Sequence, residues 1–157
     1  MFKNIVCATD TSEDADRALD YAAQLAAESD GQLHVVHVVE KLVAGRVAGQ
    51  NADLFEKDHE VKLRRQCSEF SDRGIKVTLH TPYASVGHVA SCVTDIANEN
   101  GADLIVSGTR GRSAAAGAVL GSVAQRLLHM ATCPVLAVPH RCVATADRAD
   151  GTLTTAG

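Results

Sequence analysis

The chain has 157 residues, 46% of them hydrophobic, which is enough for one compact domain with a single core. Its 15 Lys and Arg residues against 19 Asp and Glu residues give a net charge of −4, which excludes a general nucleic-acid binder with a basic excess. No apolar run approaches the roughly 18 residues of a membrane span, and the first residues do not form a signal peptide. We therefore expect a cytoplasmic protein that binds neither nucleic acid nor a membrane.

The cysteines are scattered along the chain without a C-x-x-C pair, which excludes a disulfide scaffold and a zinc ribbon. We expect reduced, mostly buried thiols, and Cys7 in a central strand is expected to be unreactive. No group of His, Cys and Asp residues has metal-ligand spacing, so the sequence predicts no metal held by protein ligands. His34 and His37 lie in an apolar run and are predicted to be core or interface residues.

Short apolar runs alternate with segments of helical period, which predicts alternating strands and helices. In chain order the predicted elements are a strand at 4–9, a helix with an apolar face from Ala15 to Ala26, a strand at 33–39, a mobile loop at 43–50, a helix over about 53–72, a strand at 75–80, a helix with an apolar face from Val86 to Ala97, a strand at 104–106, a helix over about 122–131 and a strand at 134–139. Thr11 or Ser12 can cap the first helix. The inner face of the second helix is predicted to include Leu63, Cys67 and Phe70.

This alternation predicts a single α/β domain, a Rossmann-like parallel sheet of order 3-2-1-4-5 with helices on both faces. The third strand alternates apolar and polar residues, which suits one edge. The fifth strand, at the other edge, is apolar on both faces and has no charged gatekeeper. We therefore expect a homodimer that pairs through Val135, Leu136, Ala137 and Val138 around a two-fold axis. Residues 142–157 lack an apolar period and are predicted to be a disordered tail after a domain of residues 1–141.

A ligand in such a sheet binds beyond the carboxyl ends of the strands where their order reverses, here between the first and fourth strands. The residues at that point are Ala8, Thr9 and Asp10 on one side and residues 107–111 on the other. The segment between Asp103 and Asp147 carries four arginines, including Arg110 and Arg112, and no acidic residue. A cationic, glycine-rich segment in an anionic protein favours a phosphorylated ligand.

The glycine spacing in this segment points to the same ligand class. Gly108 and Gly111 allow a tight turn whose amides can approach an anion. Gly121 and Ser122 then open the last helix, whose N terminus attracts negative charge. The small residues of the loop 109–120 are predicted to order around phosphates and to loosen without them.

The pattern G-x-x-G-x(9)-G-S, formed by Gly108, Gly111, Gly121 and Ser122, resembles the nucleotide-binding signature of the ATP-binding branch of the universal stress protein family (UspA-like). The flanking residues 102–106 and 133–138 and the opening residues 5–13 are similar as well, so the resemblance covers residues 2 to about 140. One departure is the segment 82–87, where family members often carry a G-x-P turn.

The resemblance implies an adenine nucleotide alpha hydrolase-like fold and a role for each site residue. The backbone near Ala8 and Thr9, with Val38, would hold adenine, and Asp10 would lie by the ribose. The implied ribose and phosphate residues are Gly108, Thr109, Arg110, Gly111, Gly121, Ser122 and Val123. Mg²⁺ or Mn²⁺ would be held mainly by phosphate oxygens and water.

Three functions are open at this point. The leading hypothesis is an ATP-binding regulatory protein of the stress response that acts on a protein partner of unknown identity. A slow ATPase is the second. The chain lacks the G-x-x-x-x-G-K-[ST] motif of fast phosphoryl transfer, which argues against an enzyme, so any ATP hydrolysis should be slow. A nucleotide-free dimeric interaction module is the third. The individual residues have structural alternatives too: Asp10 or Ser122 can cap a helix, and Arg110 and Arg112 can be solvated loop charges.

Overall fold

The structure, a computed structural model, describes residues 1–41, 50–111 and 120–139, with side chains from residue 56 onward in the second range. In chain order its elements are β1 (Asn4–Ala8), α1 (Glu13–Ser29), β2 (Gln32–Val36), β3 (Val39–Lys41), α2 (Gln50–Asp72), β4 (Lys76–His80), β5 (Tyr83–Ser85), α3 (Val89–Glu99), β6 (Leu104–Gly108), α4 (Ser122–Met130) and β7 (Val135–Val138). The predicted tail, most of the predicted loop at 43–50 and residues 112–119 of the predicted phosphate loop lie outside the described residues.

The main sheet has five parallel strands in the order β4-β2-β1-β6-β7, which confirms the predicted order 3-2-1-4-5. At one edge β4 is half exposed, as its alternating sequence predicts. At the other edge β7 buries Val138 and leaves Leu136 36% exposed. The order therefore reverses between β1 and β6, where the sequence places the ligand.

Helices cover both faces of this sheet. On one face α1 and α2 pack against the strands through a core that includes Leu19, Leu63 and Phe70, and Cys67 joins it from the predicted inner face of α2. On the other face α3 and α4 bury a second cluster centred on Val93 and Leu127. The predicted helix-on-both-faces architecture is confirmed.

The turn between β1 and α1 shows which residue caps the first helix. Ser12 is the N-cap, and its side chain accepts a hydrogen bond from the Ala15 amide at 3.3 Å. Thr11, the other candidate, has a φ of 66°, a left-handed conformation that its amide supports by donating to Thr9 Oγ1 at 3.1 Å. The Lys62 ammonium from α2 also donates to the Thr11 carbonyl at 2.9 Å, so this turn is fixed from two sides.

The prediction of one strand over 33–39 is wrong in its second half. The strand β2 ends at Val36, and Val39–Lys41 forms a separate two-stranded parallel sheet with Tyr83–Ser85. The Val39 amide donates to the Pro82 carbonyl at 2.8 Å. Pro82 has no amide hydrogen, so it cannot donate a hydrogen bond within the main sheet. The segment after β2 and the segment after β4 therefore leave the main sheet at this point.

The prediction that Val86 belongs to the third helix is also wrong. Helix α3 begins at Val89, and Val86 lies in the preceding turn with 55% of its surface exposed. Gly87 has a φ of +83°, which is outside the helical region and favours glycine. Four other residues of the predicted face, Ala90, Val93, Ile96 and Ala97, are buried as expected.

The described cysteines agree in part with the expectation of mostly buried thiols: Cys7 and Cys67 are buried, whereas Cys92 and Cys133 are only partly buried. Cys7, Cys67, Cys92 and Cys133 are all free thiols, and Cys142 lies outside the described residues. Burial raises the pKa of the Cys7 thiol far above its ordinary value, which keeps it protonated and unreactive. Across the part of the chain that the structure describes, every helix is too short or too polar to cross a membrane.

Candidate functional site: a glycine-lined cleft at the sheet's switch point

A cleft of about 530 Å³ opens at the carboxyl ends of β1 and β6. Its lining includes almost every residue that the sequence nominates, namely Ala8, Thr9, Asp10, Val38, Gly108, Arg110, Gly111, Gly121, Ser122 and Val123. Thr109 is the exception. Its carbonyl accepts a hydrogen bond from the Gly121 amide at 2.6 Å, which connects the end of β6 to the start of α4.

One corner of the cleft is built from backbone, and we call Gly108, Gly111, Gly121 and Ser122 the glycine corner. A Cβ atom on Gly111 would lie 2.6 Å from Asp10 Oδ2, closer than van der Waals contact allows. A Cβ atom on Gly108 would lie 3.1 Å from the Asp14 carbonyl oxygen. Any side chain at Gly111 would therefore displace the Asp10 carboxylate, and the missing side chains keep the corner open.

The N terminus of α4 closes this corner. Gly121 is its N-cap and supplies no side-chain capping group, and the first helical hydrogen bond runs from the Gln125 amide to the Gly121 carbonyl at 2.9 Å. The amides of residues 122–124 precede that bond, so they and the positive end of the helix dipole are directed at the N-terminal side. Ser122 is the first helical residue, and its alternative role as N-cap is wrong.

Asp10 has a structural role and also lines the cleft. Its Oδ1 atom accepts hydrogen bonds from the Ser12 amide at 3.1 Å and from the Ser12 hydroxyl at 2.6 Å, which fixes the turn into α1. Its Oδ2 atom lies on the side of Gly111. Asp10 is therefore not the capping residue, which is Ser12; its carboxylate supports Ser12, and the same side chain lines the cleft.

The opposite side of the cleft, which we call the outer wall, consists of Glu40, Val86, Gly87 and Arg126. The Gly87 amide donates to Glu40 Oε1 at 3.0 Å, and Arg126 Nη1 donates to the Gly87 carbonyl. Two side chains of opposite charge therefore bind the backbone of Gly87, Glu40 at its amide and Arg126 at its carbonyl. The segment 82–87, which departs from the family pattern in the sequence, supplies Val86 and Gly87 to this wall, whereas Glu40 and Arg126 are not among the predicted site residues.

Apolar side chains form the rest of the lining, including Val36, Val38, Val89, Ala90 and Val93. Arg110 is exposed at the rim, which suits its alternative as a solvated charge, while Arg112 and Arg141 lie outside the described residues. The cleft therefore combines an apolar part, a backbone-amide corner and charged side chains of both signs. This is the composition of a site for an amphiphilic, anionic ligand.

Two pairs of histidines are close together in the described structure, and only the second pair includes a residue of the cleft lining. His34 and His37 are both buried, as predicted. His34 Nδ1 lies 3.0 Å from His80 Nε2, and burial lowers the pKa of both imidazoles. His37 is part of the cleft lining, and its ring lies 5.8 Å, centroid to centroid, from that of His59.

Comparison with known proteins identifies the family to which this fold belongs. The family model described as the universal stress protein family matches residues 1–139. Universal stress protein A homolog 1 of Coxiella burnetii is 34% identical over 142 residues, which cover 87% of this chain and 96% of that protein. UspA of Lactobacillus plantarum has a similar fold, with a TM-score of 0.75 at 19% identity over 87% of this chain and 97% of that chain. The universal stress protein of Archaeoglobus fulgidus in complex with dAMP gives a TM-score of 0.64 at 26% identity over 88% and 98% of the two chains. The resemblance found in the sequence is thereby confirmed, and the chain belongs to the universal stress protein family.

Proposed function

We propose that this protein binds ATP in the cleft and acts as a nucleotide-dependent regulatory factor of the stress response. The observation that carries the proposal is the glycine corner, where unobstructed backbone and the N terminus of α4 meet at the switch point of the sheet. The A. fulgidus family member in complex with dAMP supports an adenine nucleotide as the ligand class.

Each part of the nucleotide has a matching part of the cleft. The apolar lining around Val38, with the backbone of Ala8 and Thr9, suits the adenine ring. Asp10 is a carboxylate acceptor of the kind that ribose hydroxyls need. The glycine corner suits the phosphates, because its contribution is backbone amides and a helix N terminus.

We further propose that Mg²⁺ or Mn²⁺ accompanies ATP. The fit rests on the donor set: the glycine corner supplies amide hydrogens, which bind phosphate oxygens and not cations. The metal would therefore be held mainly by phosphate oxygens and water. When bound, it neutralises phosphate charge, while the chain's own residues bind and orient the nucleotide.

Titration calorimetry of the nucleotide-free protein with ATP tests this proposal, and we expect a dissociation constant in the micromolar range or tighter. Ser122→Glu is the most informative variant. A carboxylate at the first position of α4 favours the helix dipole, so the fold is retained, but it repels the phosphates. The matched control is Gln125→Glu, which adds the same charge at an exposed position of α4 away from the cleft lining. No heat at millimolar ATP, or equal affinity in both variants, would contradict the proposal.

The same experiment separates the alternative functions. A nucleotide-free interaction module would show no ATP binding and would keep its partner interactions in Ser122→Glu. A slow ATPase would bind ATP and release phosphate; turnover above about one per second, on the scale of ordinary enzymes, would favour an enzymatic role.

We also propose a cytoplasmic homodimer that pairs through β7. The support is an apolar edge strand, Val135–Val138, with Leu136 exposed on it. Sedimentation velocity should show a dimer that Leu136→Lys disrupts. Val61→Lys, which changes an exposed apolar residue of α2, is the matched control and should stay dimeric. A monomeric wild-type protein would contradict this part.

A further inference from the structure

We propose that His37, Glu56 and His59 form a site for a divalent transition metal of the Zn²⁺ type, beside the nucleotide cleft. The ligand atoms of these three side chains all lie within 4.8 Å of one another. They come from the segment after β2 and from the first half of α2, so no motif in the sequence connects them. This site is separate from the Mg²⁺ or Mn²⁺ that would enter with ATP.

The hydrogen bonds of His37 indicate a cation at its second nitrogen. His37 Nδ1 lies 3.0 Å from the Thr9 carbonyl oxygen, and because a carbonyl only accepts, Nδ1 must carry the donated proton. His37 Nε2 lies 3.1 Å from Glu56 Oε2, and the ring is 2% exposed. In a neutral ring with its proton on Nδ1, the Nε2 lone pair would face a carboxylate oxygen. Either a proton or a metal ion must therefore lie between these two atoms.

The Nδ1 bond has the arrangement of a metal-ligating histidine. Such residues donate the hydrogen of their other ring nitrogen to a carbonyl or carboxylate, which fixes the tautomer and the orientation of the ring. Thr9 supplies that carbonyl, and its own position is fixed because its amide donates to the Val36 carbonyl at 2.9 Å. The buried ring is thus aimed at Glu56 before any ion arrives.

The helix α2 brings the other two ligands to the same place. Its buried stripe runs through Leu63, Cys67 and Phe70, and one and two turns earlier the same face carries His59 and Glu56. The spacing of three residues puts the carboxylate and the imidazole on one face, where both can reach one ion beside His37.

The donor set and the distances suit zinc. Two imidazole nitrogens and one carboxylate are a known ligand set for Zn²⁺, with a fourth position left for water or another ligand. Bonds of about 2.0–2.1 Å in a tetrahedron separate the ligand atoms by about 3.3 Å. His37 Nε2 and Glu56 Oε2 are already 3.1 Å apart, and the ligand nitrogen of the half-buried His59 lies within 4.8 Å of both, so it has to approach them to reach this spacing. Mg²⁺ prefers oxygen ligands and should not compete.

Calorimetric titration of tag-free, chelator-treated, nucleotide-free protein with zinc chloride tests the proposal. We expect one equivalent of Zn²⁺ bound in the micromolar range or tighter, and at least about tenfold weaker binding in Glu56→Gln and in His59→Gln. The matched controls are Glu69→Gln, an exposed glutamate of the same helix, and His129→Gln, an exposed histidine of α4. Co²⁺ in place of Zn²⁺ should give the visible absorption of a tetrahedral site, and each ligand variant should lose it.

Stability measurements keep the result interpretable if a variant folds poorly. A ligand that binds only the folded state raises the melting temperature. Zn²⁺ should therefore stabilise the wild type and Glu69→Gln but not Glu56→Gln. The metal site would be overturned if the wild type does not bind Zn²⁺, or if the ligand variants and the controls bind it equally. The contact between His37 and Glu56 would then be a hydrogen bond through a proton. Because no nucleotide is present, neither result depends on the ATP proposal.

Discussion

The glycine corner and the outer wall face each other across one cleft and are built in opposite ways. The corner is made of backbone from a single segment, with Gly108, Gly111 and Gly121 leaving space for a ligand. The outer wall is made of side chains from three segments, and Glu40 and Arg126 hold the peptide at Gly87 between them. The two sides of the cleft therefore differ in composition: one consists of backbone and the other mainly of charged side chains.

This difference predicts unequal tolerance to substitution. A site made of glycine backbone has room for a ligand because side chains are absent there. Any added side chain therefore occupies space that the ligand needs. A wall of exposed charged side chains is solvated and screened, so the loss of one hydrogen bond changes the site less. Substitutions of the same size should therefore have large effects on the corner and small effects on the wall.

The largest effect is expected for Gly111→Val. Its Cβ would lie 2.6 Å from Asp10 Oδ2, so the Asp10 carboxylate must move, and the valine side chain occupies space in the glycine corner. We expect ATP affinity to fall by at least about 100-fold, or about 2.7 kcal/mol. Calorimetry measures this loss, and urea unfolding shows how much of it comes from a damaged fold. Binding within about threefold of the wild type would contradict the role of the corner.

A smaller loss is expected for Asp10→Ala, with Ser12→Ala as its matched control. Asp10→Ala removes both hydrogen bonds from Ser12, whereas Ser12→Ala removes the hydroxyl bond to Asp10 and the capping bond from the Ala15 amide but keeps the backbone amide bond. Each variant should lower the free energy of unfolding by about 1 kcal/mol. Only Asp10→Ala also removes the acceptor in the cleft, and we expect about tenfold weaker ATP binding for it alone. If Ser12→Ala weakens ATP binding equally, Asp10 acts only through the turn.

The same contrast explains which features the sequence could predict. The order of the main sheet and the stripe of Leu63, Cys67 and Phe70 follow from local periodicity, and the glycine corner follows from a spacing within one segment. Periodicity failed at Val86, because the apolar pattern begins before Gly87, whose positive φ keeps both residues outside α3, which starts only at Val89.

Features assembled from distant segments left no such signal. Glu40 meets Gly87 across 47 positions of the chain, and His37 meets Glu56 only because α2 packs beside the end of β2. A spacing rule applied along the chain tests residues of one segment at a time. It therefore predicted no metal ligands, although the fold brings two histidines and a glutamate together.

The outer wall should give a weaker response than Asp10. Glu40→Gln and Arg126→Met each remove a charged partner of the Gly87 peptide, and both side chains are exposed. Exposed charged contacts contribute roughly 0.2–1 kcal/mol, so we expect ATP affinity to fall by about fivefold at most. Titrations at low and high salt should show the difference from wild type shrinking as salt rises. A loss as large as that of Gly111→Val would contradict the expected difference and mean that the wall contributes as much to nucleotide binding as the corner.

The smallest effect on the cleft is expected from His34 and His80, which pair between β2 and β4. Burial is the main cause that lowers the pKa of both imidazoles, and the charge of His80 adds to the effect on His34. A lowered pKa means that the unfolded chain binds protons more readily than the folded one below about pH 6.5. The contribution to stability is therefore present above that pH and is lost as the pH falls through the lowered values.

Urea unfolding at about pH 7.5 and about pH 5.5 measures this loss, and the midpoint of the wild type should fall with the pH. His80→Gln removes one titrating partner, so its midpoint should fall less over the same interval. Its ATP affinity at the higher pH should equal that of the wild type, because His34 and His80 are not part of the cleft lining. A midpoint that rises on acidification would show that the folded state, and not the unfolded chain, takes up the protons. A change in ATP affinity would instead extend the binding site from the cleft to the β2–β4 side of the sheet.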